Sequence, residues 1–131
     1  MKTVSIILLT TLAAVVLGCG YGSNYLGAGG ATPAITQLNP ASANAGAPAF
    51  TLTIAGSNFA TQAVVNWNGV PQSTNTTYVS ASRLTMTVSA SMITNSGTVQ
   101  VSVTNPGIGG QGYASGGTPP QTSMPMNFTI D

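Results

Sequence analysis

Residues 50–59 of the chain read Phe-Thr-Leu-Thr-Ile-Ala-Gly-Ser-Asn-Phe. Phe50, Leu52 and Ile54 alternate with threonines and an alanine, which is the period of a strand that buries one of its two faces. The Gly-Ser-Asn that follows is typical of a turn. This stretch therefore predicts a half-buried β-strand that ends at a turn.

The same alternation of apolar and polar residues recurs along the rest of residues 34–131. It appears at residues 65–67, 84–88, 99–103 and 126–130. Turn-forming sequences separate these runs, namely Asn39-Pro40, Gly56-Ser57-Asn58, Asn68-Gly69, Asn95-Ser96-Gly97 and Asn105-Pro106-Gly107. About seven short strands in a body of about 100 residues predict an all-β fold, an antiparallel two-sheet sandwich.

This pattern leaves few residues that could form helices. No window carries a long apolar stripe of helical period, and only residues 90–93 have the composition for one helical turn between strands. Trp67 alternates in phase with Val65, so we expect its ring to face the core and not to bind a ligand.

Charged side chains are almost absent, which excludes several classes of function. The charged side chains are those of Lys2, Arg83 and Asp131, and the chain has no histidine and no glutamate. A nucleic-acid partner needs several basic residues, and a metal site needs histidine, thiolate or carboxylate ligands. Acid-base or triad catalysis needs a general base that this chain lacks. We therefore expect no enzyme, no cofactor, no metal site and no nucleic-acid partner.

The N-terminal segment has the layout of an export signal. Lys2 precedes an apolar run over residues 4–17, and Val16-Leu17-Gly18-Cys19 resembles the lipobox of bacterial lipoproteins. We expect a signal peptide over residues 1–18, lipid on Cys19 and a Gly-rich tether over residues 19–33. Two alternatives stay open for Cys19: a free thiol in an uncleaved anchor, or part of a signal that an ordinary export peptidase cuts later.

Six motifs in order resemble the IPT/TIG immunoglobulin-like domain over residues 34–131. The most distinctive is residues 52–59, LTIAGSNF, and the others are 35–40, 65–70, 83–88, 101–107 and 128–130. The resemblance implies an immunoglobulin-like sandwich. The connection from Asn105 to Ser123 is longer than the short Gly-rich link usual in that family.

The resemblance also implies a spacer or binding role, since such domains occur in transcription factors, receptors, bacterial surface proteins and polysaccharide-degrading enzymes. A nearly uncharged, exported version favours the bacterial surface role. We therefore expect a non-catalytic module, anchored by lipid in a bacterial membrane and facing the periplasm or the cell surface. Its partners would be the membrane, through Cys19, and a protein or glycan.

The alternative is a module that binds a carbohydrate or another neutral ligand. Its site would be the connection 105–123, with Tyr113 stacking on the ligand and Gln111 forming hydrogen bonds. Tyr78 and Asn75 are further candidates of the same chemistry. Against them, Tyr78 is equally consistent with a strand position and Asn75 with an ordinary turn.

Overall fold

The computed structural model describes residues 31–108 and 118–131 of the chain. Within these ranges the chain forms ten strands and one 3₁₀ turn, and seven of the strands have four residues or more. In chain order they are β1 Ala34–Asn39, β2 Ser42–Ala43, β3 Phe50–Ser57, β4 Val64–Trp67, β5 Val70–Pro71, β6 Thr76–Ser80, β7 Arg83–Val88, the 3₁₀ turn Ala90–Ile93, β8 Gly97–Asn105, β9 Gln121–Thr122 and β10 Met126–Ile130.

The strands form two sheets, as the alternation predicts. One sheet has four strands in the order β1-β3-β7-β6, and the other has six, in the order β2-β10-β8-β4-β5 with β9 also paired to β8. Pairing is antiparallel except between β2 and β10, which run parallel. The chain crosses between sheets from Asn39 to Ser42, so β2 reaches β10 in the same direction. This parallel pair was not predicted.

Side chains alternate across both sheets, which confirms the predicted apolar faces. On β3, Leu52 and Ile54 are fully buried and pair with Met86 and Leu84 of β7. On β8 and β10, Val101, Val103 and Phe128 are fully buried as well. The two apolar faces pack on each other as one core, so the immunoglobulin-like sandwich is confirmed.

The distinctive AGSNF segment ends β3 by a close approach to β1. A Cβ atom at Gly56 would collide with the Ala34 carbonyl oxygen and the Phe59 ring, so only glycine fits there. Asn58 then turns the chain with a φ of 60°, and Phe59 is buried with 1% exposure. The strand thus runs through Gly56-Ser57, where the composition predicts a turn, because both residues still pair with β1.

A two-residue turn at Asn68-Gly69 joins β4 to β5, as its sequence predicts. Both residues have positive φ, 51° and 83°, which is the geometry of the tightest hairpin turns. The predicted helical turn is also present, as the 3₁₀ turn at Ala90–Ile93, and it buries Ile93.

The described body begins and ends at opposite ends of the sandwich. Ala34, the first residue of β1, pairs with Ser57, the last residue of β3. β8 finishes at the same end of the sandwich, with Asn105. Ile130 pairs with Gly97 at the first residue of β8. We call these the Asn105 end and the Ile130 end.

Trp67 lies in the core, as predicted. It is 7% exposed, and its ring centroid is 5.3 Å from that of Phe128. Phe128 in turn stacks with Phe50 of the other sheet, at 6.0 Å and 20°. These three rings join the two sheets near the Ile130 end.

Replacing Trp67 with alanine should lower the free energy of unfolding by about 3 to 5 kcal/mol, because a buried ring is lost and a cavity remains. Urea denaturation of the full chain measures this loss. The control is Val79→Ala, since Val79 is 52% exposed, and it should change stability by less than about 0.5 kcal/mol. Equal losses in both variants would show that Trp67 is not part of the core.

Candidate functional site

The three site residues named from the sequence, Cys19, Gln111 and Tyr113, lie outside the described residues. Tyr78 and Asn75 are described and serve the fold. Tyr78 is half-buried on β6 and packs against the core. Asn75 donates to Gln72 Oε1 at 3.1 Å, and its carbonyl accepts from the Thr87 amide at 3.0 Å. Tyr78 therefore fits the interpretation as a strand residue, and Asn75 fits the interpretation as a turn residue.

The connection 105–123 has two ordered arms. Ile108 and Thr118 form an antiparallel bridge with backbone hydrogen bonds of 3.0 and 2.8 Å. β9 then pairs with the end of β8, and the Ser123 amide donates to the Val103 carbonyl at 2.8 Å. A Cβ at Gly107 would approach the Thr118 carbonyl oxygen to 2.5 Å, so glycine lets the arms meet. The many Gly and Pro residues of this connection gave no sequence signal for this pairing.

Asn105 is a structural residue and not part of a flexible loop. It is fully buried. Its Oδ1 accepts from the Ala60 amide at 3.0 Å, and its Nδ2 donates to the carbonyls of Ala31 at 2.9 Å and Asn58 at 2.6 Å. One side chain thus joins the end of β8 to the segment before β1 and to the chain after β3. The arms of the connection start from this fixed point.

A groove of about 280 Å³ lies on the outer face of the six-stranded sheet, beside these arms. We call it the outer groove. Three prolines form much of its wall: Pro71 on β5, and Pro106 and Pro120 on the two arms. Its other lining residues are Gln62, Val64, Asn66, Ser73 and Thr104.

Asn66 occupies the floor of the outer groove and was not singled out from the sequence. It points away from the core, between Val65 and Trp67, yet it is only 7% exposed. Its Nδ2 donates to Ser102 Oγ at 3.1 Å and to Thr104 Oγ1 at 2.9 Å. The alternation of β4 predicts an exposed asparagine here. The register, which places Asn66 opposite Ser102 and Pro71, buries it instead.

A second groove, of about 460 Å³, lies at the Ile130 end. We call it the end groove. Its floor includes Trp67, Val99 and Ile130, and Val70 stands at its edge with 59% exposure. Its polar lining consists of Asn68, Gln72, Thr94, Asn95, Ser96 and Thr98. No charged side chain is found among the described residues that line it.

Over the two described ranges, no cluster of three or more His, Cys, Asp or Glu residues could hold a metal ion. Within the same residues, no helix has the length and hydropathy needed to cross a bilayer. Arg83 and Asp131 are both exposed, so neither lies in a buried cleft.

The model of the IPT/TIG domain matches residues 33–129. The chain belongs to the IPT/TIG family. The match begins one residue before β1 and ends within β10, so it includes both sheets of the sandwich and the connection 105–123. Searches among curated proteins and among solved structures gave no significant match.

Replacing Asn105 with alanine should destabilise the IPT/TIG sandwich by about 1 to 3 kcal/mol, chiefly because the buried Ala60 amide loses its acceptor. The affected groups are the Ala60 amide and the carbonyls of Ala31 and Asn58. Thermal unfolding of the full chain measures the effect. Asn127→Ala, on the exposed face of β10, is the matched control, and a similar melting temperature for both variants would contradict the role of Asn105.

Proposed function

We propose that this IPT/TIG domain is a non-catalytic interaction or spacer module, exported and held at a bacterial membrane by lipid on Cys19. The observation that carries this proposal is the point at which the first described residues join the sandwich. The last residues of the expected tether join the sandwich at the Asn105 end, where Asn105 Nδ2 donates to the Ala31 carbonyl. A module anchored through Cys19 would therefore turn its Ile130 end away from the membrane.

The chemistry of the described body supports a non-catalytic role. Its charged side chains are Arg83 and Asp131, and both are exposed. The hydroxyl groups on its strands have no histidine or glutamate anywhere in the chain to activate them. Contact with a partner would thus depend on apolar packing and neutral hydrogen bonds.

Replacing Cys19 with serine should release the protein from the membrane fraction, because the lipid has no other cysteine to occupy. Fractionation of the expressing bacteria measures release, and the intact mass shows whether acyl groups are lost. Ser23→Ala, in the expected tether, is the control and should stay in the membrane fraction. If the Cys19 variant also stays there with unchanged mass, the anchor is an uncleaved signal helix.

A second candidate function is the binding of a neutral ligand, such as a carbohydrate, through the connection 105–123. The ordered arms favour it, because the Ile108–Thr118 bridge and the pairing of β9 with β8 hold both ends of this connection on the sandwich. In this proposal Tyr113 stacks on the ligand and Gln111 forms hydrogen bonds with it.

Replacing residues 109–117 with a short Gly-Ser segment tests this second function. The sandwich should stay folded, because the replacement leaves Asn105, the Ile108–Thr118 bridge and β9 in place. Glycan binding measured on an array should be lost, and binding by the unmodified chain should change little between low and high salt. Unchanged glycan binding after the replacement would assign the site to another part of the molecule.

A further inference from the structure

The Asn66 amide presents an unused hydrogen-bond acceptor in the outer groove. Both of its hydrogen bonds use Nδ2, and no atom of the described residues donates to Oδ1. No buried side-chain oxygen among those residues lacks a partner. An oxygen without a donor must therefore be open to solvent, and the exposed surface beside Asn66 is the outer groove.

Neighbouring strands hold the Asn66 amide in place before any partner arrives. Nδ2 donates to Ser102 and Thr104, and Thr104 Oγ1 is 2.8 Å from Thr122 Oγ1 on β9. Three strands thus hold the amide by a chain of hydrogen bonds. A partner that supplies a hydrogen-bond donor binds with little entropy lost in ordering the site. A partner that covers Oδ1 without a donor removes the water bound to this oxygen and replaces it with nothing.

The walls around Asn66 are apolar and stiff. Pro71, Pro106 and Pro120 have rings without rotatable side chains, so contact with them costs little conformational entropy. Pro71 is held by the pairing of β4 with β5, and Pro106 directly follows the buried Asn105. The groove is therefore preformed.

Size and charge restrict what fits. The volume of about 280 Å³ is just below the range of pockets for complete small-molecule ligands, and no charged side chain is among its described lining residues. A flat ring with one polar tip matches the proline walls and the acceptor of Asn66. A neutral sugar would press several of its hydroxyl groups against the prolines, where they find no partner.

We propose that the outer groove is a docking pocket for one tyrosine or tryptophan side chain of a protein partner, whose O–H or N–H donates to Asn66 Oδ1. The proposal rests on the interaction role inferred above and names the chemistry of the partner. Tyrosine and tryptophan are enriched among residues that dominate binding energy at protein interfaces. Phenylalanine has the ring without the donor and is discriminated against.

The test uses the full chain in a detergent without a sugar headgroup. The probes are N-acetyl-tyrosinamide, N-acetyl-tryptophanamide, N-acetyl-phenylalaninamide and methyl β-glucopyranoside, titrated by ¹⁵N-edited NMR. The first two should bind weakly and saturably and should shift the signals of Asn66, Ser102 and Thr104. The phenylalanine probe should bind about tenfold more weakly, because it leaves Oδ1 without a donor.

Two pairs of variants locate the site. Ser73→Phe fills the groove from an exposed position and should abolish binding, whereas Ser57→Phe, also exposed but outside the groove, should not. Asn66→Leu should bind the tyrosine and phenylalanine probes equally. Asn127→Leu, on the same sheet but exposed, should keep the tenfold difference. Circular dichroism measures whether each variant is folded. If Asn66→Leu unfolds, Ser73→Phe still tests whether the probes bind in the outer groove.

Three patterns of binding would overturn the proposal. They are equal affinity of the unmodified chain for the tyrosine and phenylalanine probes, saturation by methyl β-glucopyranoside alone, and unchanged binding by Ser73→Phe. The absence of binding by every probe would also reject the pocket. It would leave the anchored module intact as a hypothesis, because release of the Cys19→Ser variant from the membrane is measured separately.

Discussion

Contact between the apolar faces of two sheets is the interaction on which the rest of this structure depends. Leu52 and Ile54 on one sheet and Val101, Val103 and Phe128 on the other are fully buried in a single core. With only two charged side chains in residues 31–131, ion pairing can contribute very little. Burial of apolar surface and the backbone hydrogen bonds of the sheets must supply the stability.

The scarcity of charge shapes the surface as well as the core. Long-range electrostatic attraction cannot guide a partner to such a domain, so recognition depends on shape and on neutral hydrogen bonds at short range. A fixed amide in a preformed apolar groove is a suitable device for this purpose. Asn66 has that form, and the nearby prolines keep the groove open without a cost in side-chain entropy.

Two asparagines show how the same residue type takes different parts in one fold. Asn105 uses both atoms of its amide on the backbone of two other segments and fixes the Asn105 end of the sandwich. Asn66 uses only its nitrogen within the sheet. Both belong to motifs recognised in the sequence, yet nothing in those motifs separates the structural amide from the one that faces a groove. Their surroundings, and not their neighbours in the chain, make the difference.

Alternation of apolar residues was enough to predict the all-β class, the sandwich and the burial of Trp67, because the period of a strand depends only on local backbone geometry. Local turn chemistry likewise predicted the Asn68-Gly69 hairpin. The extension of β3 through Gly56, the parallel pairing of β2 with β10, the ordered arms of 105–123 and the burial of Asn66 were decided by tertiary structure. Each depends on a partner far away in the chain, such as Ala34, Ile130, Thr118 or Ser102, and no local pattern records which distant strand will pair.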